Sequence, residues 1–355
     1  MSTNESTPVE NRSEIVFVTD AQDCNPNGNP SDDNRPRIDR HTGTCSITDV
    51  CLKQYIRRQL LSDGHDVYVR KPQEQDRGAK PRWELALDIL GDVESPEDVP
   101  EMEEAHDQFF STATDARYFG AAFTFKANEG ELVDALTEAF PDNQKGPVQF
   151  MPARSLNEVQ TNDELSNLTS VIATSDEKDT GGFQLDDYRI KYGIFPFYAL
   201  IDEENGQAVD LSQEDVKRLD SLCWRAVKNQ TDSRAKLGQE PRLYVRVEYS
   251  DDHYHLGNLH RTLDLDSDRS EPDEQMRDVF DVTLDVSRFI QDLEHGADAI
   301  EKVRVCGDRQ LDISDGGGEV LGTAADLPTI LNERLPETVT VEHIAIMEEA
   351  HETAP

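Results

Sequence analysis

Short apolar runs separated by turn-forming residues recur along most of the chain. Residues 14–20 (EIVFVTD) hold four consecutive apolar, β-prone side chains, which is typical of a strand buried on both faces. The next stretch, NPNGNP at residues 25–30, combines Asn-Gly with two prolines and favours a tight turn. The pattern predicts a central strand followed by a rigid loop with free backbone N–H groups.

Two segments have the spacing of amphipathic helices. In residues 46–61 the apolar side chains recur at helical intervals, and Ser46 or Thr48 is available as the N-terminal cap. Lys53 and Arg57 lie one turn apart on the polar side of this helix, which is therefore cationic. A second helix is predicted from Ser212, followed by an acid three residues later, to a point near residue 228.

Further strands are predicted between and after these helices. Residues 117–126 (RYFGAAFTFK) and 146–150 (GPVQF) flank a helix at 130–140, residues 188–201 form a long strand, and residues 242–249 (RLYVRVEY) alternate cleanly. Without its insertions the order is strand, helix, strand, strand, helix, strand. This order predicts an α+β fold with a ferredoxin-like (βαββαβ) core, the arrangement on which RNA-recognition (RRM) domains are built.

The chain is predicted to be a single domain, residues 14–355, preceded by a polar, disordered tail of residues 1–13. The core segments are 14–61, 117–151 and 189–250, interrupted by polar insertions at 62–116 and 152–188. The second insertion contains a TGG sequence and suits an excursion or a hairpin. Residues 251–355 add a strand at 282–286, a short helix capped by Ser287, a strand near 303–306 and a final segment at 339–347.

The net charge of the chain indicates the environment in which it works. The 355 residues include 73 Asp+Glu against 35 Lys+Arg, a net charge of −38, so a generic basic nucleic-acid binder is excluded. The acids are spread along the chain and the bases are mostly Arg, 24 against 11 Lys, which points to a halophilic cytosol. No apolar run suits a membrane span and the start has no signal-peptide pattern, so we expect a cytoplasmic protein with no membrane partner.

Three basic islands interrupt this acidity. Residues 34–58 hold six bases and two acids, and residues 70–82 and 225–246 are also positive. Such islands in an acidic chain indicate a polyanion site. The alternative is that these are ordinary surface cations paired with nearby carboxylates.

Catalytic and metal signatures are weak. The chain has no Walker motif, no G-x-G-x-x-G after a strand, no G-x-S-x-G and no H-E-x-x-H, and its five cysteines form no C-x-x-C pair. Aspartates at positions 20, 23, 32 and 33 offer a candidate magnesium site for phosphodiester cleavage, although such clusters arise by chance in so acidic a chain. The histidines of HYHLGNLH (residues 253–260) favour structural or RNA-contacting roles over metal binding. We predict no metal and no cofactor.

The first island carries the most specific signal. NPNGNP supplies backbone donors, NRPR supplies guanidinium groups and KQYIRR supplies a cationic helix face, all directly after the central strand. Arginines and turn amides suit phosphate, whereas Tyr and Asn side chains stack on or hydrogen-bond to unpaired bases.

These motifs also carry a family resemblance. The run DAQDCNPNGNPSDDNRPRIDRHTGTCSITDVCLKQYIRRQL is followed in order by RYFG, GPVQF with ARSLNEV, DTGGF, YRIKYG, TDSRAKLGQEPRLYVRVEY and HYHLGNLHR. Together they resemble the CRISPR-associated Cas-seven (Cas7) family, nearest to the Csh-two/Csd-two type of type I-B systems, over roughly residues 14 to 350.

The resemblance implies a function in antiviral defence. Members of the family are repeated backbone subunits of the Cascade surveillance complex, which polymerise along one CRISPR RNA and present its spacer for pairing with invader DNA. The implied partners are CRISPR RNA, target DNA through that RNA, other copies of the chain, and Cascade subunits of the Cas-five, Cas-six and Cas-eight types. The implied chain is not an enzyme, because cleavage in type I systems belongs to a separate helicase-nuclease.

The resemblance also assigns parts and residues. The core corresponds to the palm, the 62–116 insertion to the fingers and the 152–188 insertion to the thumb. The implied RNA-binding residues come from the loop, the helix, the thumb base and the later strands: Asn25, Asn27, Gly28, Asn34, Arg35, Arg37, Lys53, Arg57, Arg58, Arg117, Arg154, Ser155, Lys191, Arg234 and Lys236.

Two other functions remain open from the sequence. One is a metal-dependent endoribonuclease that uses Asp23 and Asp33, which would require a carboxylate pair close to the RNA. The other is an acidic scaffold protein that binds no nucleic acid, against which the three basic islands argue.

Overall fold

The computed structural model of the chain describes residues 7–70, 80–125, 130–162, 167–170, 183–230, 234–251 and 253–352. The strands are β1 Ser13–Cys24, β2 Gly28–Asn29, β3 Arg35–Ile38, β4 Thr44–Ile47, β5 Gly120–Ala122, β6 Asn143–Lys145, β7 Val148–Phe150, β8 Ala153–Glu158, β9 Asn167–Ser170, β10 Phe183–Asp186, β11 Ile190–Ile201, β12 Gln239–Tyr249, β13 Asp264–Leu265, β14 Thr283–Asp285, β15 Ile300–Gly307, β16 Asp312–Ser314, β17 Val320–Thr323 and β18 Thr340–His343. The helices are α1 Asp49–Ser62, α2 Arg82–Leu90, α3 Met102–Thr112, α4 Thr114–Phe119, α5 Glu131–Ala139, α6 Glu203–Gln207, α7 Gln213–Lys228, α8 Ser287–His295, α9 Leu327–Arg334 and α10 Ile346–Glu352.

Strand β1 lies in the middle of a six-stranded sheet, as its sequence predicts. The strand order is β18-β15-β12-β1-β11-β7, and β1 is antiparallel to both of its neighbours. Phe17 is paired with Phe197 on β11 and with Tyr244 on β12. Because β1 has apolar side chains on both faces, it can be covered on both sides.

Helices cover both faces of this sheet. Ile15 and Phe17 face a hydrophobic cluster that includes apolar side chains of α1, α2, α3 and α7. Val16 and Val18 face a second cluster that includes apolar side chains of α8 and α9. The fold is therefore a mixed α+β arrangement of three layers, in agreement with the expected α+β class.

Local cap signals place α1 and α7 correctly. Thr48 caps α1, accepting a hydrogen bond from the Cys51 backbone N–H. Ser212 caps α7, and the Asp215 side chain completes a capping box with the Ser212 backbone. The predicted helix at 130–140 is confirmed by α5, and strand β7 lies within the predicted 146–150 segment.

The predicted strand at 117–126 is wrong. Residues 114–119 form α4 instead, and only the short strand β5 follows it. Helix α4 turns its apolar side toward α7, where the Tyr118 hydroxyl donates to the Asp215 carbonyl at 2.7 Å. A short apolar run fits a strand and a buried helix equally well, and this tertiary contact favours the helix.

Two end-of-element predictions also differ from the structure. The predicted disordered tail differs at residues 7–12, which lie against the segment that leads into α7, with Val9 buried and its N–H donating to the Leu211 carbonyl at 3.0 Å. Ser287 is the first residue of α8 rather than its cap, because the chain enters that helix at Val286 without a side-chain cap. The predicted strand at 282–286 is observed as β14, and the strand near 303–306 as β15.

The 152–188 insertion begins with a strand. Strand β8 pairs with β4 in a second sheet of order β2-β3-β4-β8. Further along, β9 and β10 form an antiparallel pair, which agrees with the predicted hairpin. The TGG sequence at 180–182 lies outside the described residues.

Candidate nucleic-acid interface

Three separate segments meet at the carbonyl oxygen of Pro26. The Lys236 ammonium donates to it at 2.7 Å, the Tyr55 hydroxyl at 3.1 Å and the Cys51 thiol at 3.6 Å. Burial lowers the pKa of Lys236 and raises that of Tyr55. The NPNGNP loop is thus held to α1 and to the segment before β12, which brings the first and third basic islands together.

The amide side chains of this loop are used to shape it. Asn25 is buried and donates to the Asn34 carbonyl at 2.7 Å, and the Asn27 side chain accepts from the Thr48 backbone N–H at 2.9 Å. A Cβ on Gly28 would lie 2.1 Å from the side-chain oxygen of Asn34 and 2.8 Å from its carbonyl oxygen, so a side chain here would force the loop to shift. Asn34 itself has a left-handed backbone conformation. These four predicted site residues build the loop that presents their neighbours.

The cations of α1 are half-buried rather than free in solvent. Lys53 lies 3.3 Å from Asp49 and over the ring of Phe119, with 5.5 Å from its nitrogen to the ring centroid. Arg57 lies over the same ring at 5.3 Å, and its Nε donates to Asp115 at 2.7 Å. Arg58 lines a cleft between α1 and the end of α7.

Asp115 is a site residue that sequence reasoning missed. It is fully buried and accepts from the backbone N–H groups of Tyr68 and Val69 at 2.6 and 3.2 Å, in addition to Arg57. It therefore joins α1 to the beginning of the 62–116 insertion. In a chain with 73 acids, nothing in the local sequence distinguishes this aspartate from the others.

The arginines after the loop differ in environment. Arg35 is exposed, stacks on the ring of Tyr188 with 4.3 Å from its Cζ to the ring centroid, and donates to the Tyr188 hydroxyl at 3.0 Å. Arg37 is half-buried, and its buried Nε has no hydrogen-bond partner among the described residues. Both lie on β3, beside the strand that pairs with β8, the first strand of the 152–188 insertion.

At the base of the 152–188 insertion the two predicted residues have different roles. Arg154 is exposed and is paired across the sheet with Ser46. Ser155 is buried, accepts from the Cys45 N–H at 3.0 Å and donates to the Asn157 carbonyl at 2.6 Å, so it is a structural residue. Lys191 is half-buried on β11, and its backbone N–H donates to the Gln160 carbonyl.

Two remaining predicted residues are scaffold or only partly described. Arg117 donates to the carbonyls of Phe110 and Ser111, both at 2.9 Å, and to Asp215 at 3.1 Å, which fastens α3 and α4 to α7. Arg234 lies in a short helical turn before β12, and its side chain is outside the described part of the structure.

Much of the second and third islands is paired with carboxylates. Arg225 binds Asp63 at 2.8 Å, Arg246 binds the buried Asp220 at 2.8 Å, and Arg242 binds the buried Asp20 at 2.8 Å. In the second island, Arg70 and Lys80 share Asp88, while residues 71–79 lie outside the described residues. The alternative of paired cations is thus correct for these five residues, and also for Lys53 and Arg57 of the first island. The first island remains the principal candidate surface because its Arg35 is exposed beside the loop.

The sequence matches decide what kind of protein presents this surface. Residues 11–287 match the family model described as CRISPR-associated protein Cas7. The chain belongs to the Cas7 family. A curated protein of Haloferax volcanii, named CRISPR-associated protein Cas7, is 51% identical over 310 residues, which cover 86% of this chain and 89% of that protein.

Two solved structures align with this Cas7 chain over most of its length. One is titled "CRISPR RNA-guided surveillance complex, pre-nicking" and aligns at 13% identity and a TM-score of 0.45, covering 91% of this chain and 100% of the other. The second, titled "CRISPR RNA-guided surveillance complex", aligns at 12% identity and a TM-score of 0.40, covering 91% and 99%. Both scores are low, so the family assignment rests on the sequence matches.

The aspartates of the nuclease alternative lie in different environments in this Cas7 chain. Asp20 is buried, bound to Arg242 and to the Tyr192 hydroxyl, and its burial raises its pKa to about 6 despite the arginine. Asp23 and Asp33 are exposed and have left-handed backbone conformations. Within the described ranges no group of three His, Cys, Asp or Glu side chains could hold a metal ion, and no helix there has the length and apolar character to span a bilayer.

Proposed function

We propose that this chain is a CRISPR RNA-binding backbone subunit of a cytoplasmic type I-B Cascade complex. Several copies would assemble along one CRISPR RNA and present its spacer for pairing with invader DNA. The observation that carries the proposal is the Cas7 family match over residues 11–287, which includes the loop, α1 and β12 that meet at Pro26. Other Cascade subunits of the Cas-five, Cas-six and Cas-eight types are the further partners.

A ferredoxin-like, RRM-like palm is part of this proposal. Four neighbouring strands, β12-β1-β11-β7, are antiparallel throughout, and α1 follows the first of them in sequence while α7 precedes the last. This order and these helix positions support the βαββαβ arrangement. The insertions at 62–116 and 152–188 would be the fingers and the thumb.

The predicted RNA-binding residues divide into contacts and supports under this proposal. We assign direct RNA contact to the cations that reach solvent or line open clefts: Arg35, Arg37, Lys53, Arg58, Arg154 and Lys191. The loop amides hold the loop in shape, and Lys236 acts through the Pro26 carbonyl. Arg57 and Arg117 act through Asp115 and Asp215, because breaking a buried ion pair to reach a phosphate would cost several kcal/mol. Ser155 is buried and acts through the Cys45 N–H. Arg234 remains a proposed RNA-binding residue on the basis of the sequence alone.

The chain itself would be non-catalytic. The binding of the buried Asp20 to Arg242 supports this, since two-metal or one-metal phosphodiester cleavage needs carboxylates that share an ion. Cleavage of bound RNA by the wild-type chain with magnesium, lost in the Asp23→Ala, Asp33→Ala double variant, would establish the endoribonuclease instead.

Purification from the native host in molar salt tests the proposal. The tagged chain is isolated, and its nucleic acids and proteins are separated on denaturing gels. A discrete band of short RNA that carries CRISPR repeat sequence, with this chain in excess over its partners, is the expected result. A lone monomer without RNA would contradict the backbone function and favour the acidic scaffold.

A further inference from the structure

Arg35 and Tyr188 form a preassembled pair although they are 153 residues apart in the sequence. The Arg35 Cζ lies 4.3 Å from the centroid of the Tyr188 ring, and one guanidinium nitrogen donates to the Tyr188 hydroxyl at 3.0 Å. These two contacts fix the guanidinium over the ring, and the Arg35 side chain remains exposed. A guanidinium held in this way offers a flat, weakly hydrated face.

The backbone around Tyr188 is fixed on both sides. The Arg189 N–H donates to the side-chain oxygen of Asn162 at 2.7 Å, and the Asn162 N–H donates to the Arg189 carbonyl at 3.1 Å. The Arg189 guanidinium binds Asp187 at 2.8 Å and the Asp23 carbonyl at 2.8 Å. The ring that carries Arg35 is therefore anchored to the end of β1 and to the base of the 152–188 insertion.

The pair lies in a cleft whose lining suits a flat ring. The cleft has a volume of about 370 Å³, and Pro36 and Ile38 supply apolar surface. Asp32 and Arg40 line the same cleft, so it offers a nucleobase edge both a hydrogen-bond acceptor and a donor. Nucleobases stack on guanidinium planes and on aromatic rings, and offer polar edges to such side chains.

We infer that Arg35 and Tyr188 are a stacking platform for one unpaired nucleobase of the bound RNA. Arg35 acts through the face of its guanidinium, not as a phosphate ligand. The inference rests on the proposed RNA-binding function and adds to it a base site and a mode of binding. Stacking does not depend on counterion release, so it retains its strength in molar salt, where phosphate contacts lose most of theirs.

A charge-conserving substitution separates stacking from phosphate binding. The full-length chain and its Arg35→Lys and Arg35→Ala variants are titrated with a single-stranded CRISPR RNA at several salt concentrations. A platform predicts that both variants lose affinity at least about fivefold in molar salt, and that the salt dependence of binding stays unchanged. Arg334→Lys, at an exposed arginine on α9, is the matched control and should bind like the wild type.

Photo-crosslinking locates the base independently. The chain is assembled with RNA that contains 5-bromouridine, the complex is irradiated, and the crosslinked peptides are identified by mass spectrometry. We expect crosslinks at Tyr188 in the wild type and in Tyr188→Phe, which keeps the ring, and their loss in Tyr188→Leu. Thermal melting of each variant checks that its fold is retained.

The possible failures are distinguishable. If Arg35→Lys binds like the wild type while Arg35→Ala loses both affinity and about 0.7 of the salt slope, Arg35 is a phosphate ligand and the platform is refuted. RNA binding that is unaffected by Tyr188→Leu, with crosslinks elsewhere, refutes the platform and leaves the proposed function standing. A wild-type chain that binds no RNA at any salt concentration refutes both.

Discussion

Arg57 and Asp115 form a buried ion pair that joins α1 to the 62–116 insertion. The Arg57 Nε lies 2.7 Å from the Asp115 carboxylate, and Asp115 also accepts the N–H groups of Tyr68 and Val69. The side chains are 12% and 1% exposed. A residue that the sequence assigns to RNA contact is thus a link between two parts of the fold.

Asp115→Asn should lower the free energy of unfolding of the chain even without RNA. The amide cannot pair with Arg57 and accepts backbone hydrogen bonds more weakly, and loss of one partner of a buried pair costs roughly 3 kcal/mol. Denaturant unfolding in molar salt measures the change. Asp107→Asn on α3, an exposed aspartate, is the control, with an expected effect within about 0.5 kcal/mol. Equal stabilities of the two variants would contradict the structural role of the pair.

Gly238 should tolerate no side chain. It has a φ of +111°, and a Cβ would lie 2.1 Å from the Gln22 carbonyl oxygen, next to the segment that carries Lys236. Gly130 has a similar φ of +121° with nothing within 4 Å of a Cβ. We expect Gly130→Ala to cost roughly 1 kcal/mol for the strained φ, and Gly238→Ala roughly 2 kcal/mol more, because the strand end must shift. Thermal melting compares the variants, and a similar loss in both would exclude the steric clash.

Asp20 should give stability a dependence on mildly acidic pH. Burial raises its pKa from 3.8 to about 6, so between these values the folded chain binds more protons than the unfolded chain. Its contribution therefore weakens as pH rises from about 4 to about 6, and on the order of 1 to 3 kcal/mol is lost over that interval. Melting of the wild type and Asp20→Asn across this range tests the sign. The variant should lack this decrease, and parallel pH profiles of the two proteins would contradict the assignment.

RNA should be held tightly only by an assembly of copies. In molar salt, about four phosphate contacts per copy lose most of their counterion advantage, so stacking and contacts between copies must supply the rest. RNAs of increasing length, titrated with the full-length chain in molar salt, should show affinity that rises steeply once a second copy fits. Tight binding to an RNA that accommodates one copy would refute this expectation.

The sequence predicts those features that depend on nearby residues. Thr48 and Ser212 cap their helices within four residues, and β1 is identified by its own apolar run. The sequence does not predict the α4 helix, because its apolar segment is held as a helix by contact with α7, which lies almost a hundred residues further along the sequence. The same limit applies to the site, since the carboxylate that holds Arg57 and the ring under Arg35 lie 58 and 153 residues away. Contacts between residues so far apart in the sequence form only when the chain folds, so no pattern in the neighbouring sequence predicts them.

The central position of β1 also has a consequence for synthesis of the chain on the ribosome. Its Glu14 accepts a hydrogen bond from Tyr249, 235 residues later, and the whole strand is paired only with β11 and β12. At roughly 5 to 20 residues per second, about 10 to 50 seconds pass between translation of β1 and of its second partner. Both edges of this apolar strand are open until β11 emerges, and one edge stays open until β12 follows. We therefore expect the nascent chain to be a client for holdase chaperones until residue 249 has emerged.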